Sequence, residues 1–421
     1  MRILPFRGRA LVTLVTAVTL GASLPAAGQT LPYEPIVFGG GRVTIGGDVS
    51  ATFSCADSSG AETDRCAGDR GFFNYTDYEH SALRMLRVGV TAAVKAGNHL
   101  SVLGEIRSEN AGTPQPYALY VRIRPWTSRA FDVQVGRVPP TFGAFARRTY
   151  PADNVVIGYP LAYQYLTSLR PDALPANADE LLRMRGRGWR SNFSVGNTAP
   201  DRGLALVSAF RWDTGVQVHA ANDFIDGAAA VTTGTLGNPL VGDDNAGKQV
   251  AGRMALRPAT GLIVGLSAAR GPFLTRGASE RAGAARGAGR FTQTGWGADL
   301  EYSRDYYLVR FETIVSDWRL PIISAPTLDL PLRAVSTLVE GRYKIRPGLY
   351  AAARLDHLGF STITGSATSN RWDAPVTRVE LGGGFSVQRN LLLKLTFQHN
   401  TRAGGRVTRA NLAAAQIVFW L

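Results

Sequence analysis

The chain lacks the features that mark several large classes of protein. Its 421 residues include only 2 cysteines, 5 histidines and 4 lysines. Beyond the N-terminus it has no run of about 18 apolar residues, which excludes a helical membrane protein. The histidines are scattered and none lies between the cysteines, so we predict no metal site and no cofactor. No serine and histidine stand in a recognised catalytic motif, and we expect no enzymatic activity.

Arginine and glycine, in contrast, are abundant. Arginine supplies 42 of the 46 basic residues, and the formal net charge is +14. This charge indicates either an anion-attracting surface or simply an arginine-rich proteome. The basic residues are spread along the chain without a nucleic-acid motif, so we expect no nucleic-acid partner. The 47 glycines and 22 prolines are typical of a chain of strands and turns.

The N-terminus has the order of a secretory signal peptide. Three arginines precede an apolar, uncharged stretch, and small residues follow at the expected cleavage site. We predict a signal peptide over residues 1–28 and one mature domain over residues 29–421. A retained membrane anchor is the alternative.

Export would place the chain in an oxidising compartment. Cys55 and Cys66 lie close together in a stretch rich in Asp, Ser and Gly. We therefore predict a local disulfide between them.

From residue 40 onward, segments of about ten residues alternate apolar and polar side chains. In residues 378–387 the odd positions are apolar or glycine and the even positions are polar or glycine. In residues 117–124 the same pattern assigns Tyr117 to the apolar face. Alternation of this kind predicts strands with one apolar and one polar face. The predicted strands are 42–53, 84–95, 98–108, 116–124, 131–138, 203–213, 215–224, 248–257, 262–270, 291–303, 306–318, 333–346, 349–358, 376–388, 391–400 and 406–420.

Short links alternate with long polar links along this series, and one predicted short link is Asp213 to Gly215. A soluble sandwich also alternates, but it shows no such division of its links. The pattern predicts an all-β fold, a transmembrane antiparallel β-barrel of about sixteen strands that encloses an aqueous lumen. Closure is required because lipid cannot pair a free sheet edge. If residues 139–202 contain further strands, one of them at 189–195, the count becomes eighteen.

The C-terminal strand carries a resemblance to a known family. Ala413, Ala415, Ile417 and Phe419 alternate toward the C-terminus, with Trp420 and Leu421 last. In this, and in residues 133–143 with their Pro-Gly turn, the chain resembles the bacterial outer-membrane porins, including the phosphate-selective O/P porins. The resemblance implies a homotrimer of passive channels in the bacterial outer membrane, in contact with lipid. It also implies that the barrel-assembly machinery recognises the last strand.

A long loop in such a barrel is a candidate constriction. Residues 139–202 form the longest predicted link, and porins of this type fold a long loop into the lumen. An outward, solvated loop is the alternative, and residues 177–184 are predicted to form a short helix. The candidate constriction residues are Arg147, Arg148, Tyr163, Tyr165, Asp179, Glu180, Arg183, Arg185 and Arg187.

The polar faces of the predicted strands carry more basic than acidic residues. A basic pore wall favours anions, whereas pairing of these charges across the wall would leave little preference. The candidate wall residues are Arg122, Arg124, Arg253, Arg310, Arg342, Lys344, Arg354 and Arg378. The sequence therefore predicts a passive porin for small hydrophilic solutes, with a preference for anions. The alternatives are a channel with a saturable sugar or phosphate site and, less favoured, a barrel hydrolase.

Overall fold

The computed structural model of the chain describes residues 36–58, 73, 83, 86–209, 212–245, 247–286, 291–328, 330–405 and 407–421. The predicted signal peptide and Cys66 lie outside these residues. Cys55 lies on a strand, and its predicted bond with Cys66 stays a prediction.

Sixteen long strands form one antiparallel sheet. They are β1 (Val43–Ser58), β2 (Leu86–Lys95), β3 (Leu100–Glu109), β4 (Gln115–Ile123), β5 (Ala130–Val138), β6 (Asp213–Ala221), β7 (Ile225–Thr232), β8 (Gln249–Ala259), β9 (Leu262–Pro272), β10 (Thr292–Arg304), β11 (Tyr307–Trp318), β12 (Leu332–Arg346), β13 (Leu349–Phe360), β14 (Val376–Gln388), β15 (Leu391–Arg402) and β16 (Arg409–Trp420). A short strand, Ile36–Phe38, pairs with the start of β1.

The sheet closes on itself. Each strand pairs with the next along the chain, and β1 pairs with β16, with Val49 opposite Phe419. The predicted antiparallel barrel and its sixteen strands are thus confirmed. Closure gives every long strand two partners, so the sheet has no free edge along its length.

Short turns lie at one end of the barrel and long loops at the other, as predicted. The link from β12 to β13 consists of Pro347 and Gly348. Proline presets the first turn position, and Gly348 has a φ of +80°, which glycine adopts without strain. The loops at the other end are longer, and the longest is residues 139–212, called the inserted loop below. It is ten residues longer than the predicted segment 139–202.

One predicted strand is false, and one observed strand was not predicted. Residues 203–209 and 212 lie in the inserted loop, and the predicted turn at Asp213 to Gly215 lies inside β6. The next strand, Ile225–Thr232, occupies a stretch predicted to be a loop. One false strand and one missed strand cancel, which is why the predicted count is right. The suspected strand at 189–195 is reduced to a two-residue pairing of Val195–Gly196 with Ala173–Leu174 and an isolated bridge between Ser191 and Asp201.

Side chains alternate between the two faces of the wall. On β13, Ala351, Ala353 and Leu355 are exposed, whereas Arg354 and Asp356 are fully buried. Exposed apolar residues outside and polar residues inside are the arrangement that a barrel in lipid requires. Tyr117 is an exception to the prediction. A register shift between β3 and β4 places it on the inner face, where it is buried.

The loops at the long-loop end pack together into a hydrophobic core. The inserted loop contains a 3-10 helix, Phe145–Arg148, and two short helices, α1 (Leu161–Gln164) and α2 (Ala178–Arg183). The predicted helix at 177–184 is therefore confirmed as α2. A third helix, α3 (Arg276–Arg286), follows β9. None of the described helices is both long enough and apolar enough to cross a membrane.

Candidate functional site: the inner wall and the inserted loop

A row of alternating charges runs across the inner wall. Glu301, Arg310, Glu340, Arg354 and Glu380 stand opposite one another in register on the five strands β10 to β14. Each contacts the next: the arginine nitrogens lie 3.0 Å or less from the neighbouring carboxylate oxygens. We call these five residues the charge row.

Arg354 is the fourth residue of the charge row and is fully buried. Its guanidinium donates to Glu340 and Glu380 on either side. It also donates to the carbonyl of Gly158 at 2.7 Å and to Oδ1 of Asn154 at 2.8 Å, both in the inserted loop. A buried charge is tolerated when its partners satisfy its hydrogen-bonding groups, and here the wall and the loop both supply them.

Lys394 on β15 fastens the same part of the loop. Its ammonium donates to the carbonyls of Pro151, Asn154 and Val156 at 2.6, 3.0 and 3.2 Å. An ammonium has three donors, so all of them are used. The side chain is 2% exposed. The lysine therefore acts as a clamp that holds the loop backbone against the wall at three carbonyl groups.

The contacts continue along the loop. Arg378 on β14 donates to the carbonyl of Tyr159 at 2.9 Å, and the backbone N–H of Leu161 donates to Asp356 on β13 at 2.5 Å. Arg354, Arg378, Asp356 and Lys394 all belong to the inner face of β13 to β15. Residues 151–161 therefore lie inside the barrel along this side, and the predicted insertion of a long loop into the lumen is confirmed.

The inserted loop also contacts the other walls. Tyr163 donates to Glu312 on β11 at 2.8 Å, and Arg148 contacts Glu301 of the charge row. On β2, Arg87 donates to the hydroxyl of Tyr159 at 2.8 Å. The loop thus bridges the lumen, because Arg87 on β2 and Glu312 on β11, on nearly opposite sides of the closed sheet, both hold it.

The candidate constriction residues fall into two separate groups. Arg148 and Tyr163 contact the barrel wall as described, and Arg147 lies beside Arg148 in the 3-10 helix. The others belong to the long-loop end, where Asp179 and Arg185 contact other loops and Glu180 holds the inserted loop to itself. Asp179 accepts from Ser366 at 2.8 Å, Glu180 accepts from Ser194 at 2.9 Å, and Arg185 donates to the carbonyl of Ala403 at 3.1 Å.

The remaining three candidates complete this second group. Arg183 and Arg187 are exposed, and Tyr165 is buried beside Arg402. Burial raises the pKa of Tyr165 to about 12, although the nearby guanidinium of Arg402 opposes that shift. Tyr165 is therefore neutral at any physiological pH and serves as a packed hydrogen-bonding group.

Asp373 connects backbone segments at the long-loop end, and this role was not predicted from the sequence. It is fully buried in the loop between β13 and β14, and it accepts from the N–H groups of Ser168, Gly186 and Ala374, each at 2.7 Å. Burial raises the pKa of Asp373, against the lowering effect of these donors.

The eight candidate wall residues fall into two groups, those with a charged or loop partner and those without an ion pair. Arg253, Arg310 and Arg354 form ion pairs across the wall, and Arg378 holds the inserted loop. The other four, together with Lys95, form no ion pair with a described residue and lie toward the short-turn end. We call these five the mouth cluster: Lys95, Arg122, Arg124, Arg342 and Lys344.

Sequence reasoning did not assign the clamp of Lys394, the role of Asp356 or a buried His219. His219 lies on the inner face between Asp132 and Asp226, with ring nitrogens 3.6 and 3.4 Å from their carboxylates. For the charge row a signal exists, because opposite charges occupy inner positions on consecutive predicted strands. For Lys394 there is no such signal, since its partners are backbone carbonyls.

The barrel is similar to several solved structures. The anion-selective porin from Comamonas acidovorans gives a TM-score of 0.55 at 12% identity, over 90% of this chain and 99% of that one. The outer membrane channel DcaP of Acinetobacter baumannii gives 0.54 at 12% identity, over 90% and 97%. OmpF of Salmonella typhi gives 0.52 at 11% identity, over 90% and 97%. No protein-family model and no curated protein matches the sequence. The chain has the 16-strand barrel fold of the bacterial outer-membrane porins.

Proposed function

We propose that the protein is an outer-membrane porin, a passive channel for small hydrophilic solutes that prefers anions. The observation that carries the anion preference is the mouth cluster. Its five basic side chains lack acidic partners among the described residues, whereas most inner acids of the same wall are paired or hydrogen-bonded. The net field at the short-turn mouth is therefore positive, and it draws anions toward the lumen.

The inserted loop supplies the size limit in this proposal. It is fixed at mid-barrel by the charge row and Lys394, so solutes pass beside a rigid partition. Arg148, Tyr163 and their wall partners border this region, and we propose that they line the constriction. The proposal for Arg147 follows only from its position beside Arg148.

The fold supports the placement in the outer membrane. Among the similar structures, DcaP is named as an outer membrane channel, and the Comamonas acidovorans protein is named as an anion-selective porin. An OmpT structure of Vibrio cholerae is described as a trimer form. We propose a homotrimer for this chain on the same architecture. We also propose that the barrel-assembly machinery recognises its last strand.

Planar-bilayer recording tests the proposal. The change replaces Arg122, Arg124, Arg342 and Lys344 by glutamine in one variant. In a salt gradient near 0.1 M, where charges are screened over about 10 Å, we expect the anion-to-cation permeability ratio to fall about threefold or more. The matched control replaces four exposed residues outside the strands of the barrel, which are Arg190, Lys248, Arg276 and Arg281.

The outcomes separate the clauses of the proposal. A folded wild-type barrel that passes no current contradicts the channel function. Cation preference, or equal ratios in variant and control, contradicts the role of the mouth cluster. Saturable block of the current by one sugar or by phosphate would instead favour a substrate-specific channel.

A further inference from the structure

A hollow interrupts the outer surface of the barrel across β8 to β11. It encloses about 640 Å³, and its lining is almost entirely apolar. Met254, Leu266 and Trp296 stand at its rim and are exposed by 49, 59 and 57%. These side chains alternate with inward-facing residues, so the hollow opens outward, on the face that meets lipid.

The sequence produces the hollow by placing small residues next to each other. Gly252 lies opposite Ala268, which in turn lies opposite Trp296. One step along the strands, Leu266 lies opposite Ala298. Because neighbouring strands are about 4.8 Å apart, these adjacent small residues leave a gap. Trp296 borders it across the strands, and Met254 and Leu266, which lie opposite each other, border it along the strands. Such a gap accepts a flexible hydrocarbon chain.

A basic residue stands at the long-loop end of the hollow. Arg270 follows Ala268 by two positions on β9, which places it on the same face, about 7 Å along the strand. It is exposed, and its guanidinium forms no ion pair or hydrogen bond with a described residue. It lies two positions before Pro272, where β9 ends. Near a strand end an outward charge sits at the level of polar head groups, where it costs little.

We propose that this hollow is a specific site for a membrane lipid with a phosphate head group. Arg270 donates to the phosphate, and an acyl chain lies over Gly252 and Ala268 beside Trp296. The inference rests on the membrane placement proposed above, but not on conduction.

A second copy of the chain is the competing occupant. The position of Arg270 favours the lipid, because an apolar barrel wall packed on an unpaired guanidinium would bury its charge without compensation. A phosphate oxygen, in contrast, forms charge-assisted hydrogen bonds with arginine.

The test measures lipid retention by the refolded full chain in detergent. The protein is titrated with dipalmitoyl phosphatidic acid, and bound lipid is counted by native mass spectrometry. We expect one tightly held lipid per barrel. Arg270→Gln should weaken binding about tenfold, the value expected for loss of a charge-assisted hydrogen bond. Ala268→Phe, which closes the hollow, should weaken it by a similar factor.

The matched controls are Arg409→Gln and Ala413→Phe on β16. Both residues are exposed on the far wall of the barrel, and both variants should retain the lipid as the wild type does. Inorganic phosphate should not compete with the lipid. Dipalmitoylglycerol lacks the phosphate, so its binding to the wild type should be about as weak as the binding of phosphatidic acid to Arg270→Gln.

Three results would overturn the proposal. If the test and control variants retain the same amount of lipid, the lipid is bound nonspecifically around the barrel and not in the hollow. Competition by inorganic phosphate would mean a free-anion site. Dissociation of an oligomer by Ala268→Phe in lipid-free detergent, with no effect of Arg270→Gln on lipid, would assign the hollow to a second copy. A barrel that conducts but fails here contradicts only this inference, and one that binds but does not conduct contradicts only the channel function.

Discussion

The clamp of Lys394 on the inserted loop leads to a sharp prediction for Lys394→Met. Methionine keeps the length and apolar stem of lysine but removes its three donors. The carbonyls of Pro151, Asn154 and Val156 would then lose their partner in a buried place. Each buried unsatisfied acceptor costs about 1–3 kcal/mol, and the sum is reduced because a buried charge is removed as well.

We therefore expect the docked loop to lose about 2–4 kcal/mol relative to a locally detached state. Each 1.4 kcal/mol is a factor of ten, so local opening should become about 30- to 1,000-fold more frequent. Hydrogen exchange of the refolded barrel, followed by mass spectrometry, measures this directly. The amides of residues 151–161 should exchange faster, while those of β3, which Lys394 does not contact, should not change.

Lys248→Met is the matched control. Lys248 is exposed and pairs with Asp243 at 2.6 Å in another loop, so its loss should leave residues 151–161 protected. If the exchange of these residues in Lys394→Met equals that of the wild type, the loop is held without the lysine and the reasoning is wrong. Circular dichroism of both variants verifies that the barrel itself has formed.

Two other predictions concern the buried charges. Arg354→Met leaves Glu340 and Glu380 buried without their shared cation and should lower the free energy of unfolding, measured in urea, by about 3–5 kcal/mol. A triple variant in which both glutamates are also replaced by leucine should recover much of this loss. No recovery would argue against the charge row as a unit. Because the pKa of Asp373 is raised above its ordinary value of 3.8, its contribution to docking of the long-loop end is complete at acidic pH and is lost as pH rises through the raised pKa. Asp373→Asn should remove that pH dependence from the exchange of residues 166–169, measured against intrinsic rates, and an unchanged profile would exclude Asp373 as its source.

Much of the barrel could be predicted from the sequence because side chains along each strand alternate between lipid and lumen. This alternation gives the sequence a hydrophobic period of two residues. Strands β8 to β16 agree with their predicted positions to within a few residues. The failures lie around β6 and β7. Residues 203–213 alternate like a strand, but Leu204 and Leu206 pack into the loop core instead of facing lipid. Half of residues 225–232 are glycine or alanine, whose small side chains give a weak signal.

The site was harder to predict than the fold. The polar residues of the inner wall followed from alternation, and their pairing across the wall was one of the two readings the sequence allowed. The path of the inserted loop depends on long-range contacts with backbone carbonyls. Every residue type has the same backbone carbonyl, so the sequence does not show which residues make these contacts. Of the candidate constriction residues, Tyr163 contacts the wall at Glu312, whereas Asp179 contacts another loop at the long-loop end and Glu180 contacts its own loop there.

The charge row also bears on how the barrel finds its pairing. A slip of two residues between neighbours keeps every apolar side chain outside, so alternation alone cannot reject it. Such a slip would bring Arg354 opposite Arg378 or Gly382, in place of Glu380. Like charges side by side, or a lone cation, would then be sealed in the interior. Electrostatics therefore specifies the register of these strands, and with it the shear and the diameter of the barrel.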